Sequence, residues 1–248
     1  MDNTKKRKAI IMGATSGIGK EMVEVLTSSG WEVGIAGRRM DILQKIQSQN
    51  LNVLATECID ITRSDSPSLL LKLIGKLGGM DLYFHSSGIG YQNRDLEIEK
   101  EIMTVETNVV GMTRMVSTAF NYFVSHPDSS GMIGVISSIA RTKGLGPAPS
   151  YSSSKRYVSN YLESLQQLIH IRDIRNLKIC DIRPGFVRTP LLNDGNKYPM
   201  QLDVSRVAKS IYKSLKRGKS TATIDWRYRL LVFLWRQIPH WLWVRIKI

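Results

Sequence analysis

The chain holds 248 residues, of which 42% are hydrophobic and 23% charged. That length suits one large α/β domain with a sizeable core, and the balance is that of a globular protein. A formal net charge of +14 favours anionic partners such as phosphorylated cofactors, acidic carrier proteins or lipid headgroups. With no zinc-finger spacing and no aromatic RNA-binding signature, nucleic acid is not expected.

The chain opens with Lys5, Lys6, Arg7 and Lys8 ahead of Ala9-Ile10-Ile11-Met12. This mimics a signal peptide, but Gly13 ends the apolar run too early, so the run reads as a first strand over 9–12. Gly13-Ala14-Thr15-Ser16-Gly17-Ile18-Gly19 follows, and then a helix over 18–29. A second strand over 32–37 leads into Arg38 and Arg39, and a helix covers 40–49. A third strand over 52–57 ends near Asp60. A helix over 67–77 stops at Gly78-Gly79, and a fourth strand over 81–85 runs into Ser86-Ser87-Gly88. A long helical region spans 97–124. The fifth strand, 132–137, delivers Ser138. A Gly- and Pro-rich loop precedes a helix carrying Tyr151 and Lys155 to about residue 171. A sixth strand over 177–182 ends at Pro184-Gly185. A loop over 186–201, a helix over 204–216 and a short strand over 221–224 complete the pattern.

Strands alternating with helices, and strands apolar on both faces, specify a mainly parallel sheet of about seven strands covered on both sides. The fold expected over 1–225 is therefore a single-domain, doubly wound Rossmann sheet, with residues 226–248 as a C-terminal tail. Such sheets bind ligands beyond the C-terminal strand ends. The glycine loop, Arg38, Asp60, Ser86, Ser138 and Pro184 all fall there. Cys58 and Cys180 lie in strand-like runs and read as reduced core residues of a cytoplasmic protein, with no disulfide or metal site.

The glycine loop between a strand and a helix is a phosphate cradle. Gly13 permits the turn, Gly17 lets backbone approach a pyrophosphate, and Gly19 lets helix pack on strand. The helix N-terminus then faces the anion. Arg38 stands where a ribose-binding carboxylate is expected for NAD, and a guanidinium there binds a 2′-phosphate, so NADP(H) is the expected cofactor. Arg39 begins the next helix, which solvation alone explains, though it is counted with the cofactor set. Tyr151 and Lys155 are one helical turn apart. A nearby ammonium lowers a phenol's pKa, so a tunable phenol, a lysine and the Ser138 hydroxyl can converge on one carbonyl or alcohol.

Together, Gly13-x-x-x-Gly17-Ile18-Gly19, Asp60, Asn108, Ser138, Tyr151-x-x-x-Lys155 and Pro184-Gly185 resemble the short-chain dehydrogenase/reductase family over about residues 8–225. The resemblance implies an oxidoreductase passing a hydride between NADP(H) and a carbonyl or secondary alcohol. Tyr151 would be the acid-base group, with Lys155 lowering its pKa and binding the nicotinamide ribose. Ser138, rather than Ser137, would hold the substrate oxygen. Asn108 would interrupt its helix and hold a relay water. It further implies adenine contacts from Asp60 and Ile61, and cofactor contacts from Thr15, Ser16, Ser86, Ser87, Gly88, Pro184, Gly185, Val187 and Thr189. A homodimer or homotetramer is expected with it.

Two positions depart from the family pattern. Met12 replaces a threonine, and His85-Ser86-Ser87-Gly88 replaces Asn-Asn-Ala-Gly. The side-chain link between these elements must be lost or replaced, and His85 is expected to make an ordinary hydrogen bond. Leu191, Leu192, Tyr198 and Met200 make the 186–201 loop an apolar lid, implying an apolar or mixed substrate. The tail holds Trp226, Trp235, Trp241 and Trp243, with Pro239 breaking its helix. It suits a membrane interface, an oligomer contact or a docked lid. Rival functions are a peripheral membrane reductase of lipid-like ketones or alcohols and a non-catalytic nucleotide-sensing scaffold.

Overall fold

The computed structural model describes residues 6–192 and 198–247. The strands are β1 Lys8–Met12, β2 Glu32–Gly37, β3 Val53–Cys58, β4 Leu82–His85, β5 Gly131–Ile136, β6 Leu177–Arg183 and β7 Thr221–Thr223. They form one parallel sheet in the order β3-β2-β1-β4-β5-β6-β7. The strand order reverses between β1 and β4, and that switch point is where such sheets take ligands.

Helices cover both faces: α1 Gly17–Ser28, α2 Met40–Ser48, α3 Ser66–Leu77, α4 Ile98–Val105, α5 Met112–Val124, α6 Pro149–Ile171 and α7 Val204–Lys216. The period of two along β1 shows why. Ala9 and Ile11 pack with Leu26 of α1 and Ile211 of α7, while Ile10 and Met12 pack with Leu73 of α3 and Met115 of α5. A strand apolar at every position therefore supplies two cores.

Local signals set the helix ends. The Asp203 side chain accepts from the Arg206 N–H at 3.0 Å and starts α7. Pro149 starts α6 at its first turn, where a missing N–H costs nothing. Gly78, at φ +74°, stops α3.

Met1–Lys5 of the basic N-terminal run lie outside the described residues, and Lys8 already belongs to β1. The helical region over 97–124 is three pieces, α4 and α5 being joined by a π-helix over Glu106–Gly111 at the interruption expected around Asn108. One expectation needs correction. Cys58 is not a core residue. It ends β3 with its side chain exposed, whereas Cys180 is buried.

The tail folds back onto the body as α8 Trp226–Gln237 and α9 His240–Trp243, broken at Pro239. Its anchor is Tyr228, which is fully buried in the core beneath the α7 side of the sheet. The Tyr228 hydroxyl accepts from the Phe186 N–H at 3.1 Å and donates to the Met200 carbonyl at 2.9 Å. A Cβ on Gly185 would stand 2.2 Å from this ring, so only glycine admits the tyrosine. Replacing Tyr228 by Phe leaves both loop groups unpaired. The expected loss is about 1–3 kcal/mol of unfolding free energy, read as a lower urea midpoint with an unchanged slope.

Candidate active site

The C-terminal ends of the strands open into a cavity of about 700 Å³. Nearly every site residue expected from the sequence lines it: Gly13, Thr15, Ser16, Gly17, Ile18, Arg38, Arg39, Asp60, Ile61, Ser86, Ser87, Gly88, Ser138, Tyr151, Lys155, Pro184, Gly185, Val187 and Thr189. Gly19 and Asn108 do not. Gly19 packs beneath the loop, where a Cβ would stand 2.1 Å from the Gly13 carbonyl oxygen. Asn108 sits behind the wall.

The glycine loop is shaped by contact. Gly13 has φ +86°, and a Cβ there would lie 2.7 Å from the Ser87 nitrogen. Met12 offers no hydroxyl for the family's side-chain link, and the two elements are joined here by the main-chain bond from the Ser86 N–H to the Met12 carbonyl at 2.9 Å, which continues the β1–β4 ladder. Gly17 has φ +54°, and a Cβ there would lie 3.3 Å from the Thr189 methyl group. The first turn of α1 contains no acidic residue, and its Ser16 N-cap side chain caps no N–H. These N–H groups face an anion site unblocked. Arg39 does more than solvate α2. Its guanidinium donates to the Thr15 hydroxyl at 2.6 Å and to the Ser16 hydroxyl at 3.2 Å. Glycines, free N–H groups and two arginines suit a dinucleotide carrying an extra phosphate, and no carboxylate closes β2. Asp60 is oriented by its own turn, accepting from the Thr62 N–H at 3.0 Å and the Thr62 hydroxyl at 2.8 Å.

α6 carries Tyr151 and Lys155 into the same cavity. The Tyr151 ring lies against Gly90, where a Cβ would be 2.5 Å away. The Ser138 side chain is close enough to pull the phenol's pKa down. Ser138 accepts from the Ala140 N–H at 3.0 Å, which holds its oxygen in place. Ser137 is committed elsewhere, donating to the buried Asp181 carboxylate, which is paired to Arg183 at 2.7 Å. Lys155 donates to the Ile136 carbonyl at 3.0 Å, and its nitrogen lies 5.7 Å from the Tyr151 ring centroid.

The electrostatics reverse one expectation. Burial raises the Tyr151 phenol above its ordinary pKa, against the opposing pull of the Ser138 side chain, and Lys155 is not what sets it. Lys155 is itself pushed down to about 8 by burial, with Asp181 opposing. The low-dielectric wall thus disfavours charge on both groups.

Asn108 lies in the π-helical stretch, so the interruption expected there is real. Its side chain accepts from the Ile89 N–H at 2.9 Å and donates to the Ile89 carbonyl at 2.7 Å. A further bond reaches the Ser154 hydroxyl at 3.1 Å, clamping the β4–α4 segment to α6. His85 makes the ordinary hydrogen bond expected of it, pairing Nδ1 with the Tyr83 hydroxyl at 2.8 Å. Burial first, and the Lys155 charge second, hold it down to about 3, so it is neutral.

The sequence reading missed the first two of three further contributors and named the third only as one option for the tail. Glu101 of α4 accepts from the Ser150 N–H at 3.1 Å and so caps the helix that presents Tyr151. Gln92 donates to the Tyr198 hydroxyl at 3.0 Å, joining the two walls, and Tyr198 lines the cavity. Leu231 and Trp235 of α8 also line it, which fulfils the docked option for the tail. Only the third had a signal, the apolar periodicity of the tail. Of the expected lid, residues 193–197 lie outside the described residues.

Comparison with known proteins agrees with this fold. An uncharacterized oxidoreductase of Myxococcus xanthus is 27% identical over 244 residues, 94% of this chain and 93% of that protein. An alcohol dehydrogenase of Thermococcus sibiricus, solved with 5-hydroxy-NADP, superposes with a TM-score of 0.76 at 20% identity, over 89% of this chain and 95% of that one. A short chain dehydrogenase/reductase of Burkholderia phymatum, solved with NAD, gives 0.80 at 17% identity over 94% of each chain. The family model described as short chain dehydrogenase matches residues 7–199. That match spans most of the sheet and the whole Tyr151–Lys155 helix, and the chain belongs to the short-chain dehydrogenase family.

Proposed function

We propose that the protein is an NADP(H)-dependent oxidoreductase acting on a carbonyl or secondary alcohol. The observation that carries this is the meeting of Ser138, Tyr151 and Lys155 in the cavity that the glycine loop also lines. The bound cofactor would supply or accept a hydride at the substrate carbon. Ser138 holds the substrate oxygen, and Tyr151 gives it a proton in reduction. Because burial keeps the phenol protonated, the resting site is set as an acid. Lys155, still largely charged at neutral pH, offsets the negative charge left on Tyr151. Asn108 holds the backbone at Ile89 and, in the same reading, a relay water.

NADP(H) rather than NAD(H) rests on Arg38 and Arg39, since the two solved neighbours carry one cofactor each. The substrate is apolar or mixed, because Leu191, Met200, Leu231 and Trp235 share the cavity with the reacting groups. A cytoplasmic homodimer or homotetramer belongs to the same proposal, with Ile102, Met103 and Val110 exposed on α4 and its π-helical continuation. A peripheral membrane form acting on lipid-like ketones or alcohols is the second reading, favoured by a helix that walls the cavity on one side and is apolar on the other.

Steady-state NADPH oxidation against a carbonyl panel tests the chemistry. Tyr151→Phe is expected to lower kcat by about 10²–10⁴-fold while NADPH still binds. Full turnover in that variant removes Tyr151 from its role, and NADPH binding with no turnover on any carbonyl returns the chain to a nucleotide-sensing scaffold. Arg38→Ala should weaken NADPH by about 10- to 100-fold, the worth of a charged hydrogen bond, and leave NADH unchanged. Equal loss for both cofactors would place the 2′-phosphate elsewhere. Lys155 has its own signature. Its folded pKa of about 8 lies below the ordinary lysine value of 10.5, so folding is penalised below pH 8 and the penalty is relieved as pH rises from 8 to 10.5. Urea unfolding across that window should show stability rising with pH relative to Lys155→Met, in which this contribution is absent.

A further inference from the structure

The outer face of the tail is unlike the rest of the surface. On α8 the residues Tyr228, Leu231, Val232 and Trp235 turn to the body. Trp226, Leu230, Phe233 and Leu234, at the complementary helical spacing, turn outward, with Trp226 67% and Phe233 60% exposed. Beyond Pro239 the pattern continues. Trp243 is buried and donates to the Gly144 carbonyl at 2.8 Å, while Trp241 is 60% exposed. Lys143 donates to the Ile238 carbonyl at 2.8 Å, so the bend itself is fastened to the body. The apolar face is therefore held rigid and is not a frayed end.

Its charge has one sign. After Asp225 the sequence contains no Asp or Glu, yet it contains Arg227, Arg229, Arg236, Arg245 and Lys247. Arg227 is paired to Asp225 at 2.9 Å. Arg229, Arg236 and Arg245 carry no salt bridge among the described residues. Arg229 and Arg236 lie one turn either side of Phe233, so cations flank the exposed ring. Nearby, Arg141 has its Nε buried without a hydrogen-bond partner. Burial, then the charges of Arg183, Arg236 and Arg156, lower its pKa, against the attraction of Asp181, and positive potential therefore concentrates where α8 crosses the body.

We propose that the outer face of α8 and α9 docks on an anionic lipid bilayer, its Trp, Phe and Leu side chains entering the interface while the flanking arginines meet headgroup phosphates. Exposed aromatic and aliphatic groups ringed by arginine match an interfacial helix lying in the membrane plane. A second copy of this chain fits poorly. Across a two-fold axis Arg229 and Arg236 would face their own images with no carboxylate on the face to separate them. An anionic bilayer supplies the missing countercharge, and the protein's overall charge of +14 strengthens the attraction. Because Leu231 and Trp235 wall the cavity from the same helix, the bilayer would sit about one helix diameter, roughly 10–12 Å, from the substrate site. The proposal deepens the peripheral-membrane reading of the proposed function, and its test does not depend on turnover.

The full chain is sedimented with vesicles of phosphatidylcholine alone and of phosphatidylcholine mixed with phosphatidylglycerol. Binding is expected to the mixed vesicles and to weaken as salt rises. The double variant Phe233→Glu/Trp241→Glu should lower the bound fraction at least about tenfold, and Arg229→Glu/Arg236→Glu should do the same while abolishing the salt dependence. NADPH binding, read by fluorescence, is expected unchanged in both variants and reports that each is folded. Equal sedimentation of wild type and variants, or none with either vesicle, overturns the proposal. So does concentration-dependent self-association in sedimentation velocity that Phe233→Glu/Trp241→Glu abolishes, which would give the face to a second copy. A protein that binds vesicles but reduces no carbonyl would leave this surface standing and remove only the reductase reading.

Discussion

The bond from the Lys155 ammonium to the Ile136 carbonyl, 3.0 Å long, ties the chemistry to the sheet. Ile136 ends β5, the strand paired to β4, and Lys155 sits in the buried part of α6. One side chain thus fixes the depth and rotation of a 23-residue helix against the sheet. Tyr151, one turn earlier, then has one available place, over Gly90 and beside Ser138. The cost is electrostatic, since a lysine kept this dry holds its proton weakly. Asp181, behind Ser137, is the nearby carboxylate that opposes the loss. The arrangement trades stability for a charge placed next to the phenol, a common condition of sites where protons move.

That trade explains why the spacing of Tyr151 and Lys155 misleads about the phenol. Four residues on a helix guarantee proximity, and proximity to an ammonium suggests a lowered pKa. Spacing says nothing about depth. Both groups are buried, and desolvation is the largest influence on each. A protonated Tyr151 is the form that can donate to a carbonyl oxygen, so the raised value belongs with reduction more readily than with oxidation.

Most of the framework was legible because its signals are local. The apolar run of β1, the Gly78 stop of α3 and the Asp203 cap of α7 each act through their own few residues. The cavity wall was legible for a related reason: in a parallel sheet every strand ends on the same side, so residues after strands converge without further information. What failed needed a third dimension. An interruption at Asn108 was expected from the family resemblance, but its π-helical winding was hidden because apolar periodicity continues through it. The reach of Arg39 to Thr15 and Ser16 depends on a side-chain conformation across the gap between two loops. Cys58 is different, since its signal was present and misread. In the edge strand β3, Leu54 and Cys58 point to the same side and both are exposed, while the residues between them are buried.

The tail shows how a segment can satisfy two demands that usually exclude one another. A helix apolar all round is normally buried all round. α8 is apolar on opposite sides, yet only the side bearing Tyr228 and Trp235 is covered. If packing to the body were its sole purpose, the outer positions could be polar at no cost to the core, as they are on α7, where Lys209 and Lys213 face water. Trp226, Leu230, Phe233 and Leu234 instead keep exposed area that a dissolved monomer gains nothing from. The fastening of the bend by Lys143 and Trp243 makes that area a fixed shape and so reduces the entropy lost on docking. A rigid apolar face, cations at its flanks, and a cavity wall on the reverse of the same helix together place the substrate site beside whatever surface the tail meets.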